Sequence, residues 1–317
     1  MITRSVDTWV AEFLAVQTLR ANSLIITIYG DAIAPHGGSV WLGSFIRLVE
    51  PLGLNQRMVR TSVFRLTKEK WLAAEQQGRR SFYRLTVTGN RRFEHAYRRI
   101  YHAPKETWNG EWQIVFIGLP GLSAEERESV KRDLLWEGFG LLAPGVLARP
   151  QADSTGVQEL LQEAQVEDKV ALMRAASVGE FSTRPMQQLA AECWKLDTLA
   201  AHYGAFLERF RPMLRAFKGT TELDPEQCFV VRTLLIHEYR RTLLRDPQLP
   251  EPLLPPDWPG SAARELTAEL YRLIYRGAED HLLATLETAA GPLPEAEPYF
   301  YARFGGLRDA ALGLASV

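Results

Sequence analysis

Arg57, Arg60, Arg65 and Lys68 recur through one short run, NQRMVRTSVFRLTKEKWL at residues 55–72. An arginine fork can bond bidentately to guanine O6 and N7, and a lysine can meet a phosphate as a point charge. Thr61, in the same run, can touch a base or a thymine methyl. Shortly after come Gly78-Arg79-Arg80 and Ser81-Phe82-Tyr83-Arg84, with three more guanidiniums and a phenol. These residue types suit recognition of a polyanion. The charge distribution agrees: residues 57–99 hold 12 Lys/Arg against 3 Asp/Glu, although the 317-residue chain has a net charge of −1. Residues 1–101 hold 15 basic and 7 acidic residues, and the rest of the chain 22 and 31. A basic module joined to an acidic body suggests a polyanion bound at one end. For any single cation the plainer reading is a solvated surface residue.

Other chemistry is poorly represented. The histidines (His36, His95, His102, His202, His237 and His281) form no HExxH and no close Cys/His cluster, so no metal site is expected. There is no P-loop and no GxGxxG, and Gly118–Gly121 (GLPG) has no Lys-Ser/Thr after it. No Ser/His/Asp arrangement is visible. No catalytic residue and no cofactor is therefore expected.

The elements that must position the cations follow from periodicity. At about 100° per residue, Val59, Val63 and Leu66 share one side of a helix. Arg57, Thr61, Arg65 and Lys68 take the other side, flanked by Arg60 and Phe64. Asn55 is the expected N-cap. SVWLGSFIRLVEPLG reads as a preceding helix with Ser39 as N-cap, stopped by Pro51 and turned at Gly53. Two helices on a tight glycine-containing turn make a helix-turn-helix. WLAAEQQ, GRR and SFYRLT read as strand, turn and strand, a wing. In that geometry the N-terminal half of the second helix lies on the bases. Arg57, Arg60 and Thr61 then face the bases, Arg65 and Lys68 the phosphates, and Asn55 is counted with them in the DNA-binding set. Arg79, Arg80 and Arg84 meet phosphates or a minor groove, and Tyr83 stacks or bonds a phosphate.

Elsewhere, ANSLIITIYGDAIAP reads as a helix capped by Asn22 and ended by Pro35, and TGNRRFEHAYRRIYH as another. Residues 103–110 read as a linker. From EWQIVFIGLP to DKVALMRAAS the order is βαββαβ, a ferredoxin-like pattern, with Asp153 or Ser154 capping its second helix. From Met186 the pattern is helical, MQQLAAECWKLDTLAAHYGAFLERF being one long segment. The final PEAEPYFYARFGGLRDAALGLASV shows no clear element. The expected class is α+β: a winged helix-turn-helix over 1–102, a ferredoxin-like domain over 103–184 and a helical domain over 185–317. Hydrophobic residues make up 46% of the chain, ample for buried cores. No apolar run of membrane-spanning length and no signal peptide is visible. Cys193 and Cys228 lie in helical patterns as packing thiols, so a cytoplasmic, reducing setting is expected.

SLIITIYGDAIAPHGGSVWLGSFIRLVEPLGLNQRMVRTSVFRLTKEKWL strongly resembles the start of the PaaX family, the repressors of phenylacetate-degradation operons. The similarity continues through GRRSFYRLT, GEWQIVFIGLP, GFGLLAPGVLARP and HEYRRTLLRDPQLPEPLLPPDWPG, roughly residues 20–285. The last run is long and unusual, which makes the match specific. The resemblance implies the three domains above and a homodimer on a palindromic operator of double-stranded DNA. It also implies release from the operator by an aryl-CoA thioester such as phenylacetyl-CoA. The middle domain of such proteins is similar to a CRISPR-associated small nuclease, usually marked by an Asp at the end of its first strand. Here that strand reads Gln113-Ile114-Val115-Phe116-Ile117-Gly118, without an acid.

An aryl-CoA needs cations beside an apolar slot. On the C-terminal segment His237, Arg240, Arg241 and Arg245 can supply polarity and charge, and Trp194, Tyr203 or Trp258 can line the slot. The same residues would equally serve a structural ion-pair network tying the proline-rich loop to the helices. Two other functions remain open on sequence alone. One is a CoA-ester-binding enzyme or nuclease built on the middle domain. The other is a protein that binds DNA by charge without reading it.

Overall fold

The computed structural model describes residues 2–17, 19–102, 108–150, 155–176, 186–220 and 222–307. By its internal contacts the chain divides into two compact units. The first comprises residues 1–103, 205–241 and 261–317, and the second 104–204 and 242–260. The C-terminal third thus contributes to both. No helix among the described residues is long and apolar enough to cross a membrane.

The first unit begins with α1 (Ile2–Val16) and α2 (Ala21–Ile28). α2 runs on through a π-helical turn, Tyr29–Ile33, and a 3₁₀ turn, Ala34–His36. The run expected to be helical is so, but its N-cap is Arg20, without a side-chain cap bond; Asn22 lies inside the helix. Ser39 differs as well. Ser39–Trp41 form strand β1, and the next helix, α3 (Leu42–Val49), starts from Trp41. The reason is long-range: Ser39, Val40 and Trp41 pair with Arg84, Tyr83 and Phe82, which satisfies their backbone groups in a sheet rather than a helix cap. After a 3₁₀ turn at Glu50–Leu52, Gly53 takes φ +75°, the left-handed conformation that lets the chain reverse at once. α4 (Gln56–Lys68) follows, and the Asn55 carboxamide oxygen accepts the Met58 N–H at 3.0 Å as its cap. β2 (Leu72–Gln77) and β3 (Arg80–Leu85) form an antiparallel hairpin, giving a sheet in the order β1-β3-β2. α5 (Val87–Tyr101) closes the segment, capped by the Thr86 hydroxyl.

Val59, Val63 and Leu66 are buried with Leu24, Ile25, Phe45 and Leu48. Each such side chain stabilises by about 1.5–3 kcal/mol relative to exposure. Three on one stripe fix which face α4 turns outward.

The second unit holds β4 (Glu111–Phe116), α6 (Ala124–Trp136), β5 (Gly140–Ala143), β6 (Val146–Arg149), α7 (Thr155–Glu163) and β7 (Ala171–Ala176). All pairings are antiparallel and the sheet order is β5-β6-β4-β7, the ferredoxin-like arrangement of a βαββαβ chain. Val115 and Leu147 of the sheet pack with Val130, Leu134, Val157 and Leu161 of the two helices. The expected caps Asp153 and Ser154, and residues 103–107 of the expected linker, lie outside the described residues. α8 (Met186–Trp194) and α9 (Leu196–Lys218) replace the single long helix read from periodicity. Lys195 between them takes φ +50°, which ends one helix and starts the next. A stripe of apolar residues does not register such a break.

α10 (Pro225–Leu243) and α11 (Pro259–Thr285) are followed by β8 (Glu287–Thr288), β9 (Gly291–Pro292), α12 (Pro298–Tyr301) and a 3₁₀ turn at Arg303–Gly305. The segment that looked featureless in sequence is therefore structured as far as Leu307, and Arg303 is fully buried. Its partner is Asp31 of the π-helical turn. Asp31 Oδ1 accepts from Tyr101 at 2.6 Å, Tyr271 at 3.0 Å and Arg303 at 3.1 Å, and Oδ2 accepts from Arg232 at 2.7 Å. Arg232 also reaches Glu279 at 2.6 Å, and Glu279 meets His36 at 3.0 Å. Burial pushes the Asp31 carboxyl up, but Arg232 and Arg303 outweigh it and hold it below its usual range. This cluster, all within the first unit, ties the early segment to residues more than 200 positions later.

Candidate nucleic-acid interface

Asn55, Arg57, Arg60, Thr61, Arg65 and Lys68 are all exposed. Among the described residues none of these four cations enters an ion pair, so the outer face of α4 carries unneutralised charge. The first turn of a helix adds a positive end to the same region. Thr61 is exposed and donates its hydroxyl to the Arg57 carbonyl at 2.9 Å. Phe64 is 61% exposed, and Lys68 Nζ lies 4.8 Å from its ring centre. Phe64 thus belongs to the surface rather than the core.

The hairpin residues divide among three environments. Arg79 is exposed in the turn. Arg80 is engaged: its Nη1 lies 2.9 Å from Glu287, and its guanidinium sits 4.4 Å from the Trp41 ring centre. Arg47 shares both partners, at 3.3 Å from Glu287 and 5.3 Å from Trp41. The pairs are about half exposed, so their hold is weak and salt-sensitive. Tyr83 is half-buried in the central strand, opposite Val40 on one side and Ala74 on the other. Arg84 lines a cavity with Gly37, Gly38 and Ser39.

The six residues expected near an effector are divided between the two units. Trp194, Tyr203 and Arg245 belong to the second unit, and His237, Arg240 and Arg241 to the first. Trp194 donates its indole N–H to the Gly138 carbonyl at 3.0 Å. The buried Tyr203 hydroxyl donates to Asp246 at 2.7 Å, and its ring meets Trp258 edge-on at 6.0 Å. Arg245 is exposed. The His237 ring lies 2.9 Å from the Thr27 hydroxyl, and burial pushes its pKa down to about 3, so it is neutral near pH 7. Arg241 pairs with Glu238 at 2.8 Å.

Arg240 stands apart. Its Nη2 donates to the carbonyl and hydroxyl of Ser23 at 3.1 and 3.0 Å. Its Nε is buried without a hydrogen-bond partner, and no carboxylate among the described residues pairs with it. It lines the cavity reached by Arg84, about 810 Å³ in volume, wholly within the first unit.

Sequence reasoning missed Asp31, Arg232, Glu279 and Arg303. A signal existed for two of them. Arg232 interrupts CFVVRTLLI and Asp31 interrupts SLIITIYGDAIAP, and a lone charge in a buried run needs a partner.

Three family models match this chain. The PaaX-like protein model covers residues 20–89, the PaaX protein central Cas2-like domain 105–187, and the PaaX-like protein C-terminal domain 194–284. Over 302 residues the chain is 39% identical to the transcriptional repressor PaaX of Escherichia coli (strain K12), covering 95% of each protein. The chain belongs to the PaaX family. A solved structure of an uncharacterized protein from Mycobacterium tuberculosis matches with a TM-score of 0.54 at 22% identity, covering 83% of this chain and 99% of that one. That likeness is one of fold.

Proposed function

We propose that the protein is a transcriptional repressor that binds double-stranded operator DNA through a winged helix-turn-helix formed by α3, α4 and the β2–β3 hairpin. The observation that carries this reading is the outer face of α4, where Arg57, Arg60, Arg65 and Lys68 are exposed and, among the described residues, outside any ion pair, over a buried Val59–Val63–Leu66 stripe. A helix so oriented can enter a major groove with arginine forks toward the base edges. The relative's role as a repressor supports it. In this reading Arg79 contacts the backbone, and Arg80 does so after leaving Glu287.

The protein acts as a cytoplasmic homodimer on a two-fold operator of a phenylacetate-type catabolic operon. An aryl-CoA thioester such as phenylacetyl-CoA releases it by favouring a geometry in which the paired recognition helices no longer match the half-sites. Gel-shift titration on the DNA upstream of the gene tests the proposal. Specific, salt-sensitive retention reversed by phenylacetyl-CoA is expected. Equal affinity for random DNA overturns sequence recognition, and thioester turnover or metal-dependent cutting overturns the non-enzymatic role.

A further inference from the structure

Arg240 is a half-buried guanidinium whose Nε is buried without a hydrogen-bond partner, and no counter-ion meets it among the described residues. The buried acid of the cavity wall, Asp31, already accepts four bonds from Arg232, Arg303, Tyr101 and Tyr271. Burying an unpaired charge is costly, and a fold that retains one gains when an anion or polarised oxygen arrives. Burial lowers the Arg240 pKa only to about 10, so the group remains cationic at neutral pH. Around it the cavity presents the rings of Phe93, Tyr97, Tyr101 and Tyr299, and the exposed Arg84 and Arg98 border the same space. Glu94 and Glu297 line it too, so the cavity is not a general anion trap.

We propose that this cavity is the effector site: it seats an aryl-acyl group, with the ring among the four aromatic side chains and the acyl oxygen on Arg240. This rests on the repressor reading above and adds the location and the coupling. Arg84 and Arg98 are placed to meet an anionic tail if the acyl group is carried as a thioester. Two sources share the chemistry, a free arylacetate and its CoA thioester, and the test separates them.

The wall of the cavity suggests how occupancy reaches DNA. Gly30 and Asp31 belong to the π-helical turn, and Gly37 and Gly38, both at positive φ, lead directly into β1. β1 pairs with β3, the second strand of the hairpin. A ligand that presses on this wall shifts the hairpin relative to α4 without touching the DNA-facing side chains.

The test uses the full-length protein with phenylacetate, phenylacetyl-CoA and CoA as probes. Calorimetry measures binding and a gel shift measures release from DNA. Arg240→Gln should weaken binding of the active aryl probe roughly tenfold or more, the loss of a charge-assisted bond. Ala96→Phe, which fills the cavity from α5, should abolish it. Both variants should hold DNA as the wild type does without ligand. Binding of phenylacetate supports the free acid as the source, and binding of phenylacetyl-CoA alone supports the thioester. Arg240→Lys, which keeps the charge, should retain part of the affinity and guards against a folding defect in Arg240→Gln. If an aryl probe releases the wild type and all three variants equally, the site is wrong while the repressor reading stands. If CoA alone binds as tightly as its aryl thioester, the aryl seat is overturned. If DNA binds specifically and no aryl probe acts, the effector reading falls together with this site.

Discussion

Arg57 and Arg60 differ from the other cations in one respect: they sit in the first turns of α4, where a groove-bound helix meets bases. Replacing either with Ala should cost about 1–3 kcal/mol for at least one of them and relax preference at a particular base pair. Gel shifts on operator variants substituted one pair at a time would read this; unchanged base preference in both would place the reading face elsewhere. Arg79→Ala should instead weaken all sequences alike and reduce the slope of log K against log salt by about 0.9. Arg80 is a separate case because Glu287 holds it. Glu287→Gln removes that competitor and should tighten binding to random DNA at low salt, an effect that fades as salt rises. No change would remove Arg80 from the contact set. At this scale the sequence was most legible where a residue acts on its own helix. Asn55 capping Met58 and the buried stripe of α4 follow from local spacing. The Arg80–Glu287 pair joins positions 207 residues apart, and spacing along a chain carries no information about such a meeting.

Among the elements, the π-helical turn at Tyr29–Ile33 bears the largest electrostatic demand. Asp31→Asn leaves Arg232 and Arg303 with less compensating charge in a buried site, and should cost about 3–5 kcal/mol in urea denaturation. The same cluster sets a pH response. Asp31 and Glu279 are both held below the ordinary carboxylate range, burial opposing and the arginines prevailing. Their stabilisation is therefore present above that range and is lost as pH falls through their lowered values. Melting temperature followed downward from pH 7 should drop in acid, and Asp31→Asn should flatten the drop. Lys195, at φ +50° between α8 and α9, marks a smaller cost. Lys195→Gly should raise stability by up to about 1 kcal/mol, and lower stability would mean its side chain does more than turn the chain. Element types were largely readable: the hairpin, α4, α5 and the βαββαβ order all follow from period and turn residues. One misreading came where distant pairing overrode local preference. Ser39 looks like a cap, but β3 recruits it into a sheet.

For the whole molecule the informative feature is the interleaving of the chain. It leaves the first unit after residue 103 and returns at 205 and again at 261. Composition marked the basic N-terminal third, yet could not show that residues 205–241 and 261–317 complete the same unit, because that depends on partners such as Asp31 and Arg232. If the protein pairs as proposed, sedimentation should give twice the 35.8 kDa chain mass. A monomer that still binds a two-fold operator specifically would overturn the dimer. The interleaving also bears on how the protein is made. Asp31 and Arg303 are 272 residues apart. At about 5–20 residues per second, the ribosome needs roughly 15–50 s between them. During that interval Asp31 can gather Tyr101, Arg232 and Tyr271 in turn, and only its bond to Arg303 must wait for the end. The buried cluster around Asp31 is therefore complete only once translation has passed Arg303.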